Sequence, residues 1–397
     1  MDTLTHALSG ALVARLIAAR TEPGLRAPLA PLATTAPGFD APWRGGDRSP
    51  RPWQCVIVGL VAGAFPDVDA VMQLVSELAY LRHHRGVTHS VLLAPFWALL
   101  LAWLAAQAFQ VTRGVRGGWK SWYVVALSGI AIHIAGDWIT GFGTLLLEPF
   151  SDHRFALGST FIIDLTLSGL VLAGVVGAAV LPRRRWPAGL ALVLVAGWVG
   201  VSWVGKGEAM AAGEAFARER GIPGAEVQAI PRPASPFNWT VTVLDGDVYH
   251  LAHLNTRRVQ PLVATAEDSF IRRFSAPYQP VSRVRWERTG RFGDDTADAT
   301  LAREAWERPE FAFYRWFAQA PVLERVEAGP ATMAAGARCA WFRDLRFSFP
   351  GRGDAPFRYG VCLSDGPDGV REAQIYTRDG DDGDLVQVAM SEGATPH

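Results

Sequence analysis

Histidine and aspartate residues recur inside the apolar stretches of the first half of this sequence, where ionisable groups are costly and need a partner or a function. The clearest pair is His133 and Asp137, spaced i, i+4. On a helix this spacing puts both side chains on one face, about one turn apart. An imidazole nitrogen and a carboxylate oxygen placed in this way can share one cation. A neutral histidine hydrogen-bonded to an aspartate inside a bundle explains the pair equally well, so both interpretations stay open.

A second group of acids, Asp67 and Asp69, directly follows Pro66. The proline breaks a helix, and irregular backbone at membrane depth survives only where it is buried in protein or lines a wet cavity. Alternating aspartates on an extended stretch point to opposite sides. We therefore expect Asp67 to bind a metal ion and Asp69 to orient a histidine ligand or to act as general base. Helix capping by Asp67 is the simpler alternative, but it accounts poorly for two acids.

A third polar group, the segment HHRGVTHS at 83–90, stands at the predicted start of another apolar helix. Its His84 and His89 are candidate metal ligands, and Arg85 is a candidate for binding a phosphate. A solvated polar loop would have the same composition. His6, within the first apolar stretch, is the weakest candidate ligand, because a lone histidine on an apolar helix is more often a satisfied core residue.

Taken together, these residues predict metal-assisted hydrolysis. The candidate ligands for one or two divalent ions, of which zinc is our first choice, are His6, Asp67, His84, His89, His133 and Asp137. A water whose pKa the cation lowers would be the nucleophile. Asp69 would serve as base or orienting group, and Arg85 or Arg154 would neutralise a phosphate on the substrate.

Six apolar stretches would have to position these residues: 3–20, 55–77, 88–110, 122–147, 160–181 and 187–204. Several of them reach the length of about 20 residues that a bilayer core requires. The sequence therefore predicts a mainly α fold, a polytopic membrane helical bundle of about six spans. Basic residues concentrate in the first, third and fifth loops, and the first, at about 21–54, has the composition of a flexible connection. If basic loops stay inside, the C-terminal part lies in the periplasm, on the outer side of a bacterial inner membrane.

The composition changes near residue 205, where long apolar runs give way to ordinary mixed-charge sequence. Strand-like stretches separated by turn formers, with one helix among them, predict a soluble α+β domain over 206–397 that follows a membrane domain over 1–205. Cys339 and Cys362 fall on strands that could be neighbours. In an oxidising compartment they could pair, and two buried free thiols are an equal alternative. Nothing in this domain is typical of catalysis.

The order of these motifs resembles that of a bacterial family of membrane-bound, metal-dependent hydrolases described as inner-membrane LexA-binding proteins. The resemblance covers about 1–170 and is carried by MDTLTH at 1–6, FPDVD at 65–69, HRGVTHS at 84–90, HIAGDWIT at 133–140 and PFSDHR at 149–154. It implies a membrane-bound hydrolase. The HxxxD helix motif is also similar to that of zinc-dependent phospholipase C, which indicates phosphoester chemistry by analogy.

The expected partners are membrane lipids and a lipid-like or phosphoester substrate, because the candidate ligands gather at the outer half of the bilayer. A formal net charge of zero offers no basic patch, so nucleic acid is not an expected partner. Two other classes of protein stay open. One is an ion or metal transporter, since acids and histidines within membranes also build ion pathways. The other is a membrane adaptor with a structural metal site, whose 206–397 part binds a protein partner.

Overall fold

The computed structural model describes residues 1–18, 50–114, 117–350, 355–366, 371–378 and 385–388. Most of the predicted flexible loop at 21–54 lies outside these residues. The helices of the N-terminal half are α1 (Thr3–Ile17), α2 (Pro52–Ala64), α3 (Glu77–His83), α4 (Ala94–Ala108), α5 (Lys120–Trp138), α6 (Leu165–Val180) and α7 (Trp186–Arg220). Between α2 and α3 the chain continues as a 3-10 helix, Phe65–Leu74.

Helices α1, α2 and α5 approach one another at backbone distance because small residues line their contacts. A Cβ added to Gly10 would overlap the carbonyl oxygen of Gly59, and one added to Gly129 would lie 2.7 Å from the Cβ of Ala62. Small residues at helix interfaces permit this close packing in apolar surroundings, where burial of side chains contributes little drive for association. The close packing brings α1, the end of α2 and the middle of α5 to one point.

The prediction of a six-span bundle is wrong. Within the described residues, two helical stretches are long and apolar enough to cross a membrane, Pro52–Leu74 and Trp186–Arg220. A third span exists only if Glu77–His89 and Ala94–Ala108, which meet at an angle of 77°, count as one. On which side of the membrane the C-terminal half lies stays a prediction.

The apolar runs are longer than the helices within them because a polar residue inside a run can cap the helix there. Asp164 accepts hydrogen bonds from the backbone of Thr166 and Leu167, so α6 begins only at Leu165. Helices α1 and α6 have 15 and 16 residues. At 1.5 Å per residue they reach about 22–24 Å, short of the hydrocarbon core of about 30 Å.

Two five-stranded sheets make up much of the C-terminal half, so the prediction of a mainly α fold is wrong for the chain as a whole. The first sheet has the order β1-β2-β3-β4, with β5 also paired to β3, and the second has the order β10-β9-β8-β7-β6. The strands are β1 (Glu226–Pro231), β2 (Asn238–Asp245), β3 (Val248–Asn255), β4 (Gln279–Pro280), β5 (Glu287–Gly290), β6 (Pro321–Ala328), β7 (Arg338–Asp344), β8 (Tyr359–Asp365), β9 (Arg371–Arg378) and β10 (Leu385–Gln387). The accompanying helices are α8 (Phe270–Ser275), α9 (Thr296–Glu307) and α10 (Ala312–Phe317).

A disulfide joins the central strands of the second sheet. Cys339 on β7 and Cys362 on β8 occupy directly paired positions and are bonded to each other. Of the two alternatives that the sequence left open, the structure has the bonded pair. Helix α7 runs through the predicted domain boundary at 205 and 206, and the position of that boundary stays a prediction.

The C-terminal half packs against the polar end of the helices. Phe142, in the loop after α5, makes ring contacts with Phe317 and Phe347 at centroid distances of 5.7 and 6.1 Å. The guanidinium of Arg154 lies 4.5 Å from the ring centroid of Trp316. Trp316 Nε1 in turn donates a hydrogen bond to the backbone oxygen of Asp152. An aromatic layer thus covers the loop that follows α5.

Candidate metal centre

Four side chains from three parts of the chain converge at one point in the helical half: Asp67, His89, His133 and Asp137. One ligand atom of each lies within 4.8 Å of the other three. Asp67 belongs to the 3-10 helix after α2, and His89 to the bend before α4. The other two belong to α5, where the predicted i, i+4 spacing aligns them. Asp67 is partly exposed, and the other three are buried.

The distances between the four ligand atoms fit a tetrahedral shell. His89 Nε2 lies 3.0 Å from His133 Nε2, 3.2 Å from Asp137 Oδ2 and 3.7 Å from Asp67 Oδ1. His133 Nε2 lies 3.4 Å from Asp67 Oδ1 and 3.5 Å from Asp137 Oδ2. Ligands at about 2.0–2.1 Å from a tetrahedral zinc ion stand about 3.3–3.4 Å apart. The four residues therefore fit one divalent ion of that size.

The hydrogen bonds of the two imidazoles determine which ring nitrogen faces the centre. His133 Nδ1 lies 2.6 Å from the carbonyl oxygen of Gly63, which can only accept, so this nitrogen carries a proton. His89 Nδ1 lies 3.2 Å from Asp69 Oδ2, also an acceptor. A neutral imidazole protonated at Nδ1 presents a lone pair at Nε2. If both rings are neutral, two lone pairs face each other at 3.0 Å, so this contact requires either a shared proton or a cation between the two nitrogens.

Asp137 has one satisfied and one unsatisfied carboxylate oxygen. Its Oδ1 lies 2.9 Å from Arg85 Nη2, 3.0 Å from His6 Nε2 and 2.5 Å from the ammonium of Met1. Its Oδ2 is buried and has no hydrogen-bond donor among the described residues. A buried acceptor without a partner costs about 1–3 kcal/mol, and more when it is charged. A cation at the centre would compensate this oxygen directly.

Asp69 organises the segment that delivers His89. Its Oδ1 lies 2.9 Å from His84 Nδ1, and its Oδ2 accepts from the backbone N–H of Arg85 at 2.9 Å and from Thr88 Oγ1 at 3.1 Å. Carboxylates that hold the second nitrogen of a ligand histidine fix its tautomer and ring orientation. Asp69 thus contacts both His84 and His89, and its two suggested roles, orienting group and general base, stay predictions.

Arg85 adopts a backbone conformation that is unusual for a residue with a side chain. Its φ is 61°, in the left-handed region, which costs about 1–3 kcal/mol outside glycine. Asp69 holds its N–H, while its guanidinium contacts Asp137 and donates to Thr140 Oγ1 at 2.9 Å. The strained turn brings the backbone to Asp69 and the side chain to Asp137, so one residue links the two carboxylates.

The other predicted site residues lie around this centre, and their roles stay predictions. His6 stacks on His133 at a centroid distance of 3.7 Å and contacts the far oxygen of Asp137. His84 contacts Asp69 and lies edge-on to His89 at 6.0 Å. Neither belongs to the four converging atoms.

Arg154 is directed towards the C-terminal half. It donates to the backbone oxygen of Leu81 at 2.6 Å and stacks over Trp316. Burial lowers the pKa of Arg154 to about 9, and the neighbouring charge of Arg346 acts in the same direction. A phosphate would relieve both costs, but its approach would require the aromatic layer to open.

Two supporting residues of the centre did not figure among the predicted site residues. Thr140 accepts from Arg85, and its position three residues after Asp137 in the HxxxDxxT motif is a signal that could have identified it. Gly63 acts through its carbonyl oxygen. A backbone group carries no side-chain pattern, so sequence alone could not have singled it out.

The least buried ligand, Asp67, marks the side from which the centre is closest to the surface. Its Oδ2 accepts from Thr3 Oγ1 at 2.6 Å, and its side chain is 11% exposed. Most of the exposed residues that follow it on the 3-10 helix are apolar, among them Val68, Val71 and Leu74, and Gln73 is the polar exception. The approach to the centre is therefore bordered mostly by apolar surface.

Apolar helices that surround a buried His/Asp cluster define a membrane protein with a possible metal site. The family model of the YdjM inner membrane protein matches residues 1–209, more than half of the chain, and the chain belongs to this family. The uncharacterized protein YfhP of Bacillus subtilis (strain 168) is 28% identical over 104 residues, which are 26% of this chain and 30% of that protein. The chain thus covers less than a third of the length of that relative. No solved structure matches this chain.

Proposed function

We propose that this protein is a membrane-embedded, metal-dependent hydrolase. The observation that carries the proposal is the convergence of two imidazole Nε2 atoms, 3.0 Å apart, with Asp67 and a buried carboxylate oxygen of Asp137 that has no hydrogen-bond partner among the described residues. Bound among these atoms, a divalent ion, in our proposal zinc, would supply Lewis-acid activation of water and of a substrate oxygen. Membership of an inner membrane protein family supports the membrane location.

The chain's own residues would prepare the centre for this chemistry. Asp69 holds the ring of His89, and the carbonyl of Gly63 holds that of His133. Arg85 neutralises one oxygen of Asp137 and leaves the other for the ion. His84, bound through Nδ1 to Asp69, can exchange a proton at Nε2 and is our candidate for the group that accepts a proton from water.

A lipid or lipid-linked phosphoester is the substrate class that we propose. The exposed surface beside Asp67 is mostly apolar, so a substrate that arrives from the lipid phase meets matching surface, while a soluble polar substrate does not. We further propose that the C-terminal half lies in the periplasm. The disulfide between Cys339 and Cys362 supports this, because disulfides persist in oxidising compartments.

Metal content per chain is the first test. We expect protein purified in mild detergent without chelator to carry about one equivalent of divalent metal. The variants His133→Ala and Asp137→Ala should lose it, while the exposed His153→Ala should retain it. Elemental analysis after size-exclusion chromatography measures the outcome. A folded wild type that holds no metal and cannot be reloaded would exclude the hydrolase.

Hydrolysis itself requires a second assay. Metal-loaded protein in vesicles should release phosphate or a phosphorylated head group from lipid phosphoesters, and His84→Gln should slow this release while metal content stays unchanged. His153→Gln is the matched control. Loss of metal in His84→Gln would instead give that residue a ligand role.

One observation favours a second function, a structural metal site in an adaptor protein. Four protein ligands already complete a tetrahedral shell, and structural zinc sites are closed in this way, whereas catalytic sites keep one position open. Stoichiometric metal without hydrolysis, together with loss of cellular function on removal of 206–397, would favour the adaptor.

A further inference from the structure

An apolar and arginine-rich surface lies on the C-terminal half, in the connection between β3 and β4. This connection, residues 256–278, includes α8 and is here termed the β3–β4 segment. Phe270 and Ile271 at the start of α8 are 56% and 52% exposed, and Val259 and Val263 are more exposed still. Large apolar side chains grouped at a surface mark a site of interaction.

A shared cavity shows beside which part of α7 this surface lies. Ile271 lines a cavity of about 140 Å³ together with Ser202 of α7. Ser202 lies near the end of the apolar run of α7 and is followed by the exposed Trp203 and by Lys206. Tryptophan and lysine at the end of an apolar run are typical of a membrane–water boundary. Ile271 therefore stands beside the point where α7 reaches that boundary.

Contacts with α7 hold the first sheet beside the end of the apolar run of this helix. A Cβ added to Gly205 would lie 2.5 Å from the backbone oxygen of Pro236, just before β2 begins. A Cβ added to Gly213, two turns further along, would lie 2.5 Å from Val227 of β1. Close packing at both positions, against backbone at Gly205 and against a valine side chain at Gly213, leaves the sheet little freedom to move away from the boundary.

The same cavity connects the β3–β4 segment to the exposed face of α6. Ile163 and Leu165, at the beginning of α6, line it and are 55% and 59% exposed. Ser202 lines it too, and its buried hydroxyl has no hydrogen-bond partner among the described residues. The apolar surface therefore continues from α6 to α8 around a small cavity.

Basic residues border this apolar surface. Arg272 and Arg273 follow Ile271 directly and are exposed, and the segment has further arginines at 257 and 258. Its acids are Glu267 and Asp268, of which Asp268 pairs with Arg272 at 3.1 Å, and Arg257 pairs with Glu208 of α7, so Arg258 and Arg273 outnumber the one remaining acid. The remaining excess of positive charge suits the phosphates of anionic phospholipids, which attract basic segments at a membrane surface.

We propose that the β3–β4 segment is a membrane-contact surface. Phe270 and Ile271 insert into the head-group region of the bilayer that α7 crosses, and Arg272 and Arg273 contact the phosphates of anionic phospholipids. The occupant is the lipid surface itself, because the patch continues the exposed apolar face of α6 beside the end of the apolar run of α7. This inference depends on α7 spanning the membrane and is independent of metal binding and hydrolysis.

A nitroxide label at Ile271→Cys, in a Cys55→Ser background, tests the proposal in the full-length protein. The host is a vesicle of phosphatidylethanolamine and phosphatidylglycerol, and the measurement is collision of the label with oxygen, which concentrates in lipid, or with a water-soluble nickel chelate. We expect a several-fold higher oxygen-to-nickel ratio than at Val386→Cys, an exposed apolar position on β10. Phe270→Cys provides a second label if the first variant folds poorly.

Equal ratios at the two positions would overturn the proposal. A label at Ile271→Cys that excludes both reagents would also overturn it, since that result indicates a protein partner. Replacing Arg272 and Arg273 by glutamine should lower the ratio in anionic vesicles and leave it unchanged in phosphatidylcholine vesicles. No effect in anionic vesicles would contradict the role of the arginines.

Discussion

Each half of the molecule contains a buried carboxylate that pairs with an arginine, and the two carboxylates differ in how fully they are satisfied. In the C-terminal half, Asp344 accepts from the backbone N–H and Nε of Arg346 and from the backbone N–H of Gln319, at 2.8–2.9 Å, so both of its oxygens are bonded. In the helical half, Asp137 has Arg85 on Oδ1 and no donor on Oδ2 among the described residues. The first arrangement is complete as it stands, whereas the second leaves a buried carboxylate oxygen that a cation, or a second proton on His89, would satisfy.

The surroundings of the two pairs differ in the same sense. Arg346 also donates to the backbone oxygens of Phe142 and Phe317, and it lies against an apolar, aromatic core. Around Asp137, three histidines and Asp67 share a small volume. A buried ion pair within a completed network contributes to structure. A cluster of excess acceptors is expensive without a ligand, which is why we assign function to the helical half.

The largest expected effect concerns the buried pair of Asp344 and Arg346. Asp344→Ala leaves the charge of Arg346 buried and unpaired, which should lower the free energy of unfolding by about 3–5 kcal/mol. Because no metal is involved, the loss should be the same with and without chelator in urea unfolding. Asp298→Ala removes an exposed partner of Arg338 and should cost less than about 1 kcal/mol. A loss that appears only in metal-loaded protein would contradict the comparison.

The disulfide provides a second test of whether the stability of the C-terminal half and metal binding by the helical half are independent. The double variant Cys339→Ser/Cys362→Ser removes a disulfide between residues 23 positions apart. A disulfide that closes a loop of this size contributes about 3 kcal/mol to the free energy of unfolding. We expect this loss in unfolding of the C-terminal half, with metal content unchanged, because all four ligands lie on the helical half. Cys55→Ser is the matched control. Loss of metal in the double variant would show that the halves are coupled at the centre.

The ligand cluster could be predicted from sequence further than the fold could. Spacing within one helix is a local property, so the sequence was enough to predict that His133 and Asp137 lie on one face of a helix. The convergence of Asp67 and His89 depends on the packing of glycines such as Gly10 and Gly59, and on a bend after His84. The predicted number of membrane spans was wrong for a related reason. Hydropathy measures how long a run is apolar, while caps such as Asp164 decide how much of it becomes helix.

The smallest expected effect concerns Asp69, which supports the cluster without belonging to it. Asp69→Asn keeps the shape of the side chain but removes the carboxylate that orients His89 and holds the N–H of Arg85. Loss of such an orienting partner typically weakens metal binding 10–100-fold, about 1.4–2.7 kcal/mol. Competition with a chelator of known affinity measures this change, and Asp152→Asn, in the loop below Trp316, is the control.

The outcome for Asp69→Asn decides how the helical half differs from the C-terminal half. If the affinity falls by this factor and the metal-free variant loses clearly less stability than the metal-loaded one, Asp69 acts chiefly through the ion. If the metal-free variant is already less stable by several kcal/mol, Asp69 holds the strained turn at Arg85 in the manner of Asp344, and the cluster is as structural as the pair it was contrasted with. The left-handed φ of Arg85 makes some loss in the metal-free state inevitable. The comparison therefore rests on whether the loss in the metal-loaded state is larger.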